Sequence, residues 1–346
     1  MAVSIRAAKA PRLAIDAMTR GMSDEIITVA GAGIVGLWQA LALARAGRRV
    51  RLVEASAAPF TASASRWAGA MLAPDCEAEH APKIVRDMGR EAIALWRDAY
   101  PALQMRGTLV VAAARDASEL QRFARVTERH HALSGAELAA LEPELAPRFS
   151  SALFFESEAH MNASDALRGL LQAARDAGVD IAFTTRWDGR GPAIDCRGFA
   201  ARADLPELRG VRGERALVEA PDVSITRPVR LLHPRQPIYV VPQGASRYVI
   251  GATVIERDDA EPMTVKSALE LLGSAYALHP GFAEASIIDL GVGVRPAFPD
   301  NAPRIVADGD VIRVNGAFRH GFLLAPVLAE AVAAYLATGA RHVAFA

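Results

Sequence analysis

A glycine-rich turn close to the N-terminus limits what this chain can fold into more than any other segment. Residues 31–36 read Gly-Ala-Gly-Ile-Val-Gly and follow a short apolar run at 26–30. Helix-forming residues at 35–46 come next, and a second strand-like run at 49–54 ends the unit. A strand, a helix and a strand within about thirty residues predict a βαβ unit.

The spacing G-x-G-x-x-G indicates that this unit binds a dinucleotide, through the residues Gly31, Ala32, Gly33, Ile34, Val35 and Gly36. We expect Gly31 to form the tight turn, Gly33 to let the backbone approach a pyrophosphate, and Gly36 to pack the helix on the strand. The free N–H groups and the partial positive charge at the start of the helix favour phosphate binding. A glycine-rich turn without a ligand is the alternative interpretation.

An acidic residue, Glu54, ends the second strand about twenty residues after the turn. In dinucleotide-binding folds, a carboxylate at this place bonds a hydroxyl of the adenosine ribose. An acid rather than an arginine argues against the 2′-phosphate of NADP. The βαβ unit alone leaves NAD and FAD as alternatives.

Composition argues against several classes of protein. Of the 346 residues, 51% are hydrophobic, which is enough for a sizeable core in two joined domains. The 39 basic and 39 acidic residues cancel, so charge gives no reason to expect nucleic acid or an anionic membrane as a partner. Cys76 and Cys196 form neither a disulfide framework nor a zinc motif, which favours the reducing cytoplasm. The histidines share no ligand spacing, so we predict no metal site.

No segment approaches the ~20 consecutive apolar residues of a transmembrane helix. Residues 1–21 carry scattered basic side chains but no continuous apolar stretch, so they do not resemble a secretory signal. We expect these residues to form a disordered tail.

Strand-like and helical segments alternate irregularly along the rest of the chain. Periodicity predicts helices at 83–99, 117–131, 164–177, 265–278 and 323–337. β-rich stretches predict strands at 106–113, 214–220, 237–242, 248–255 and 287–294. These strands are too numerous and too closely spaced for a purely doubly wound fold. We therefore predict an α/β protein in which a Rossmann-like nucleotide domain is interleaved with a mixed-sheet α+β second domain.

Several short segments resemble the glycine oxidases of thiamine biosynthesis, within the D-amino-acid-oxidase superfamily. The most specific is a C-terminal motif at 315–326, Asn-Gly-Ala-Phe-Arg-His-Gly-Phe-Leu-Leu-Ala-Pro. The others lie at 68–74, 209–214, 239–242 with 250–253, and 293–296. The resemblance runs from residue 26 to residue 336, and the ordered combination is more specific than any single motif.

The resemblance implies that the dinucleotide is non-covalently bound FAD. It implies flavin contacts from two segments, through Ala70, Met71, Leu72, Gly316, Arg319, His320, Gly321, Phe322 and Leu323. It also implies an FAD-binding domain at 22–82, 151–230 and 286–346 and a substrate domain at 83–150 and 231–285. We expect Gly316 and Gly321 to leave room for the flavin ring. The helix that starts near Leu323 should point its positive N-terminus at that ring.

The same resemblance assigns three residues to the substrate. Arg295 would bind the carboxylate of an amino acid as a planar fork, and Tyr239 would donate its hydroxyl to that carboxylate. Arg319 would lie at the substrate end of the flavin. For each of the three, a surface salt bridge or a packed aromatic ring is the alternative. Pro296, after Arg295, should end the pairing of its strand at the pocket.

The implied reaction transfers a hydride from the α-carbon of glycine, or of another small amino acid, to FAD. The imine is then hydrolysed or passed to a thiazole synthase, and molecular oxygen reoxidises the flavin to yield hydrogen peroxide. An oxidase or dehydrogenase of sarcosine, proline or another small amino acid is an alternative, and so is an FAD-binding relative without activity. The resemblance leaves a homo-oligomer open.

Two departures from the family pattern concern the cofactor. Ala317 stands where the family often has a histidine, so one polar contact to the flavin would be missing. Residues 184–192 replace a small β-meander that relatives usually place between the runs at 179–183 and 193–196. We expect this shorter connection to weaken FAD binding without abolishing it.

Overall fold

The computed structural model describes residues 25–233 and 237–346. Its helices are α1 Ile34–Arg45, α2 Lys83–Ala99, α3 Ala117–Val126, α4 Gly135–Leu141, α5 Ala163–Asp176, α6 Val265–Leu278 and α7 Gly321–Thr338. Its strands are β1 Ile26–Ala30, β2 Arg49–Val53, β3 Met71–Leu72, β4 Thr108–Ala112, β5 His131–Ser134, β6 Ser151–Phe155, β7 Ala159–His160, β8 Asp180–Ala182, β9 Ala193–Asp195, β10 Arg209–Glu219, β11 Val229–Leu232, β12 Ile238–Gly244, β13 Arg247–Gly251, β14 Ser286–Ala297, β15 Arg304–Asp308 and β16 Val311–Asn315. The predicted tail at 1–21 lies outside the described residues.

The smaller of the two main sheets contains the predicted βαβ unit, with β1 and β2 among its strands. Its strands lie in the order β15-β16-β9-β1-β2-β8, and all of them except β15 run parallel. Val29 of β1 and Leu52 of β2 are fully buried, as expected for central parallel strands that are covered on both faces. Helix α1 packs against α5 and α7, and α2 packs against α7. These helices and the sheet share one apolar core.

The larger sheet is mostly antiparallel, with its strands in the order β14-β10-β13-β12-β11-β4-β6-β5. The pair of β11 and β4 is parallel, so the sheet is mixed. Leu109 of β4, Val240 of β12 and Leu271 of α6 belong to one apolar core. A separate two-stranded ribbon pairs β3 with β7. Parallel and mixed sheets in one chain confirm the predicted α/β fold with a mixed-sheet second part.

Most predicted elements lie within a few residues of the observed ones, but one helix is too long in the prediction. The segment 117–131 was expected to be helical throughout, whereas α3 ends at Val126. His131 begins β5 and pairs with Phe154 of β6. Periodicity within the segment cannot reveal this pairing, because the partner strand comes later in the chain.

Sheet membership divides the chain differently from the predicted domain boundaries. Strands β6, β10 and β14 fall within segments predicted for the FAD-binding domain, yet they pair in the larger sheet. Conversely, α2 was placed in the substrate domain, and its residues Met88 and Trp96 belong to the core of the smaller sheet. The chain crosses between the two sheets more often than local patterns indicate.

Pro296 does not end the pairing of its strand, contrary to the prediction. It faces Gly210 in the ladder between β14 and β10, which continues to Ala297. Strand β14 is the edge of the sheet. An edge strand tolerates proline because the missing N–H is not needed by a neighbouring strand.

Among the described residues, one helix has the length and apolar composition needed to cross a membrane, namely α7. It is 56% buried inside the protein. Trp96 of α2 stacks on Phe322 of α7, and its indole Nε1 donates to the Phe322 carbonyl at 2.7 Å. Such contacts are those of a helix that packs in a protein core.

Candidate active site

A large cavity of about 740 Å³ is lined by residues of both sheets. Most of the predicted site residues line it, namely Gly31, Gly33, Ile34, Val35, Glu54, Ala70, Met71, Tyr239, Arg295, Arg319, His320, Gly321, Phe322 and Leu323. The predicted residues Ala32, Gly36, Leu72 and Gly316 are outside its lining. The structure thus brings the glycine turn, the C-terminal motif and the three substrate residues into one space.

The glycine turn has the close packing that its spacing predicts. Gly31 has a left-handed φ of +98°, and a Cβ there would lie 2.7 Å from the Cys196 carbonyl oxygen. A Cβ on Gly36 would lie 1.9 Å from the carbonyl oxygen of Gly31. Gly36 therefore acts behind the cavity, by letting α1 approach β1. Ser65 was not predicted, and its Oγ accepts from the N–H of Ile34 at 3.1 Å at the start of α1.

Glu54 holds the glycine turn in place. Its Oε2 accepts from the N–H of Ala32 at 2.9 Å. Its Oε1 accepts from the N–H and the Oγ of Ser56, at 2.9 Å and 2.8 Å. Each carboxylate oxygen has two lone pairs, so capacity remains for a further donor. The bond to a ribose hydroxyl stays a prediction, and Glu54 has this second role beside it.

Gly316 has a different explanation from the predicted one. It has a left-handed φ of +76°, and an added Cβ would lie 2.2 Å from Cδ2 of Phe298. The turn and the packing of this aromatic ring account for the glycine without a cofactor. Leu72 is likewise fully buried in the core. Gly321 does line the cavity, at the first position of α7.

The three residues predicted to bind the substrate lie near one another, and two of them pack directly on glycines of the sheet. A Cβ on Gly213 would lie 2.1 Å from Cζ of Arg295, and one on Gly251 would lie 2.8 Å from Cζ of Tyr239. The missing side chains therefore give the guanidinium and the phenol their space. Glycine inside a strand often marks such a close approach. Gly213 and Gly251, each inside a strand, are the signal in the sequence for this close approach.

Arg295 is a half-buried cation without an acidic partner among the described residues. Its Nη1 donates to the carbonyl oxygen of Thr253 at 3.1 Å. Burial lowers the pKa of Arg295 to about 10, so the group remains charged at neutral pH. Burial also raises the pKa of the Tyr239 hydroxyl, which keeps this group as a hydrogen-bond donor. The pair can bind an anionic group.

Arg319 differs from Arg295 because it is neutralised by Glu77, at 3.0 Å. Burial opposes the ionisation of Glu77, but Arg319 and Arg230 outweigh it and lower its pKa to about 2. Burial lowers the pKa of His320 to about 4, so that imidazole is neutral at neutral pH. Glu77 was left without a role in the sequence analysis.

The other end of the cavity contains residues that the sequence analysis missed. Trp187 and Thr185 belong to the short connection at 184–192, and both line the cavity. Arg197 stacks over Trp187 at 5.0 Å and pairs with Asp195 at 2.7 Å. The N–H of Thr185 donates to the carbonyl oxygen of Glu54 at 2.9 Å, so this connection lies beside the acid at the end of β2. Within residues 25–233 and 237–346, no group of three or more His, Cys, Asp or Glu side chains could hold a metal ion.

Comparison with known proteins identifies relatives over most of the chain. The chain is 49% identical over 316 residues to the "Putative thiamine biosynthesis oxidoreductase ThiO" of Rhizobium etli. This alignment covers 90% of this chain and 96% of that protein. The fold is similar to glycine oxidase from Geobacillus kaustophilus, with 22% identity and a TM-score of 0.75 over 92% of this chain and 96% of that one. It is also similar to L-proline dehydrogenase from P. horikoshii, with 17% identity and a TM-score of 0.77 over 93% and 95%.

Residues 27–335 match the model of one family, described as FAD dependent oxidoreductase (DAO). This match spans the glycine turn, both sheets and the C-terminal motif. The chain therefore belongs to the DAO family of FAD-dependent oxidoreductases.

Proposed function

We propose that the protein is an FAD-dependent oxidase of glycine or another small amino acid. The product imine would be passed to a thiazole synthase of thiamine biosynthesis, or it would be hydrolysed to the oxo acid with release of ammonia. The observation that carries the proposal is the half-buried Arg295, which lines the cavity together with Tyr239 and has no acidic partner among the described residues. A cytoplasmic location is part of the proposal, supported by two buried, unpaired cysteines.

The cavity residues fit FAD. Gly31, Gly33 and the N-terminus of α1 would hold the pyrophosphate, and Glu54 would hold the ribose. Ala70, Met71 and residues 317–323 would enclose the flavin. Bound FAD would accept the hydride of the amine and return the electrons to dioxygen.

Arg295 and Tyr239 would fix the substrate. The guanidinium binds a carboxylate through two parallel N–H···O bonds, and the tyrosine hydroxyl adds a third donor. Anchoring the carboxylate fixes the α-carbon next to it, which is the positional contribution that the protein makes to this chemistry. The neutral His320 and the paired Arg319 add no further free positive charge beside the reacting carbon.

The test is an absorbance spectrum of the purified protein before and after anaerobic addition of glycine. We expect a flavin spectrum that glycine bleaches, and release of the yellow colour into the supernatant on acid precipitation. Admitting air should restore the spectrum and form hydrogen peroxide. Ethylamine, which lacks a carboxylate, is the matched control and should leave the spectrum unchanged.

A panel of small amines separates the substrates within this proposal. Sarcosine and proline are compared with glycine by steady-state peroxide formation. A colourless protein that binds NAD would contradict the proposal, and so would a yellow protein that no amino acid bleaches. Size-exclusion chromatography with light scattering on the same preparation tests for a second copy of the chain.

A further inference from the structure

A second arginine, Arg215, lies on the same sheet face as the proposed carboxylate site. In the ladder, Tyr239 of β12 faces Gly251 of β13, and Gly251 faces Arg215 of β10. Arg215 in turn faces Gly291 of β14. Residues that face each other across a sheet point to the same side, so this row runs along one face. Both Arg215 and Tyr239 line the cavity.

Arg295 reaches the same face of the sheet. Its guanidinium lies over Gly213, which is two residues before Arg215 on β10. Alternate residues of a strand point to the same side, and both arginines line the cavity.

Trp67 fixes the position of Arg215. The guanidinium Cζ lies 5.0 Å from the centre of the Trp67 ring. This ring packs on Gly291 and Gly293, where an added Cβ would lie 2.0 Å and 2.9 Å from its carbon atoms. Cation and ring are therefore held together at the cavity wall rather than free to turn into solvent.

Arg215 has hydrogen-bonding capacity that the protein does not use. Its side chain is 8% exposed, and Nε and Nη1 are buried without a hydrogen-bond partner among the described residues. Its nearest acid, Asp289, lies 3.6 Å from Nη2. A buried guanidinium with two unused donors is costly unless a ligand supplies acceptors.

We propose that Arg215 binds a second anionic group of the substrate, so that the preferred substrate is a small amino acid with a second carboxylate on the far side of its amine. This proposal rests on the proposed function, because Arg295 is taken to hold the first carboxylate. The bonds that break and form are those of the proposed oxidation. Only the group at the far end of the substrate differs, and an N-carboxymethyl amino acid carries one carboxylate for each of the two arginines.

Three amines that share the same reacting carbon test the proposal, namely glycine, sarcosine and iminodiacetate. They carry a hydrogen, a methyl group and a carboxymethyl group on nitrogen. We expect kcat/KM for iminodiacetate to exceed that for sarcosine at least tenfold, as one charge-assisted hydrogen-bond pair provides. In Arg215→Met this ratio should fall by about tenfold or more, and in Arg215→Lys it should fall less, because the point charge remains.

Arg66→Met is the matched control. Arg66 stacks on the same Trp67 ring at 4.6 Å, but it is exposed and does not line the cavity. Its loss should leave the ratio unchanged. An equal fall in both variants would show a general effect of surface charge and overturn the proposal.

FAD affinity separates this inference from the proposed function. If Arg215→Met weakens FAD binding and leaves the ratio unchanged, Arg215 contacts the cofactor and the inference is wrong. The inference is also wrong if glycine bleaches the flavin of the wild-type protein but iminodiacetate has no advantage over sarcosine. If no small amino acid bleaches the flavin, proline included, it is the proposed function that fails.

Discussion

Arg295 is the residue proposed to bind the substrate carboxylate. Removing it should leave the FAD spectrum and the fold intact but lower glycine turnover by a factor on the order of a hundred or more, since the partner charge of the substrate carboxylate is lost. Arg295→Lys should retain some activity, with the loss mainly in apparent affinity, because lysine lacks the planar fork. Steady-state kinetics with glycine measure both effects.

Arg247→Ala is the control for that variant. Arg247 pairs with Glu219 at 3.0 Å, and both side chains are largely exposed. Such a pair contributes ~0–1 kcal/mol, so activity should be unchanged. Near-normal glycine kinetics in Arg295→Ala would mean that the carboxylate is bound elsewhere, with Arg319 as the first residue to examine.

Glu54 holds the glycine turn and is proposed to bind the ribose, so its removal should weaken FAD binding for two reasons. Loss of a charge-assisted bond to ribose costs about 1.5–3 kcal/mol, or roughly ten- to a hundredfold in affinity. Loss of the bond to the N–H of Ala32 should loosen the glycine turn as well. We expect Glu54→Ala to bind FAD at least tenfold more weakly and to regain turnover in excess FAD.

Ser56→Ala is the milder comparison for Glu54→Ala. It removes only the hydroxyl that donates to Glu54 Oε1 and leaves the contact to Ala32 in place. Fluorescence titration with FAD should find a small effect for Ser56→Ala. Equal FAD affinity in the wild type and in Glu54→Ala would show that the strand-end acid does not contact the ribose.

Glu158 predicts a pH dependence of stability. Its Oε1 accepts from the N–H groups of Asp75 and Cys76, at 3.0 Å and 2.7 Å, while Oε2 is buried without a partner among the described residues. Burial raises its pKa from 4.5 to about 8. Between these values the folded protein retains a proton that the unfolded chain releases, so the free energy of unfolding should fall as the pH rises.

Glu158→Gln keeps the acceptor oxygen but has no proton to lose. The variant should therefore be more stable than the wild type at pH 8, with a smaller difference at pH 5. Urea unfolding across this pH range measures the two slopes. Parallel slopes for wild type and variant would contradict the raised pKa of Glu158.

The sequence motifs predicted which residues lie at the cavity, but not every reason why those residues are there. The glycine turn, Glu54 and Arg295 all belong to continuous motifs, and the structure places them on one cavity. Arg215 and Trp67 were missed, because their relation depends on the register of β10 with β14. Gly291 and Gly293, spaced by two residues, were the available signal for a close approach at that strand.

At the scale of elements, the contact between α1 and β1 is the most tightly specified. Gly36→Ala would place a methyl group 1.9 Å from the carbonyl oxygen of Gly31, so α1 must move away from the turn. We expect loss of FAD binding together with a clear loss of stability, measured by FAD titration and thermal unfolding. The helical glycine Gly273 in α6 has nothing within 4 Å of an added Cβ.

Gly273→Ala is therefore the control for Gly36→Ala, because it changes helix propensity without a steric clash. Alanine is favoured over glycine in a helix by about 1 kcal/mol, so this variant should be neutral or more stable and bind FAD normally. A Gly36→Ala protein with wild-type FAD affinity would show that the predicted close packing is not required.

Hydrophobic periodicity predicted helices and strands well where the apolar face of the element alone decides its structure. Helices α2 and α6 coincide with the predicted ranges, and so does β1. The errors are at β5 and Pro296, where the outcome depends on which strand lies alongside. Edge position and strand partners are properties of the sheet, and a single segment does not contain them.

At the scale of the whole molecule, the fold class could be predicted but the path of the chain between the sheets could not. We propose that the two sheets mark the two domains, so that β6, β10 and β14 belong to the substrate domain and α2 to the FAD-binding domain. The resemblance identified the motifs of both domains. The boundaries follow from long-range pairing, which those motifs do not specify.

The positions of the four tryptophans allow FAD binding to be followed by intrinsic fluorescence. Trp67 and Trp187 line the cavity, whereas Trp38 and Trp96 lie against each other in the core at 5.0 Å between ring centres. Indole emission overlaps the absorption of an oxidised flavin, so FAD should quench it as the cavity fills. Replacing Trp187 or Trp67 by phenylalanine would remove the emission of one cavity tryptophan and leave that of the other. Emission that stays constant while FAD is added would contradict occupancy of this cavity.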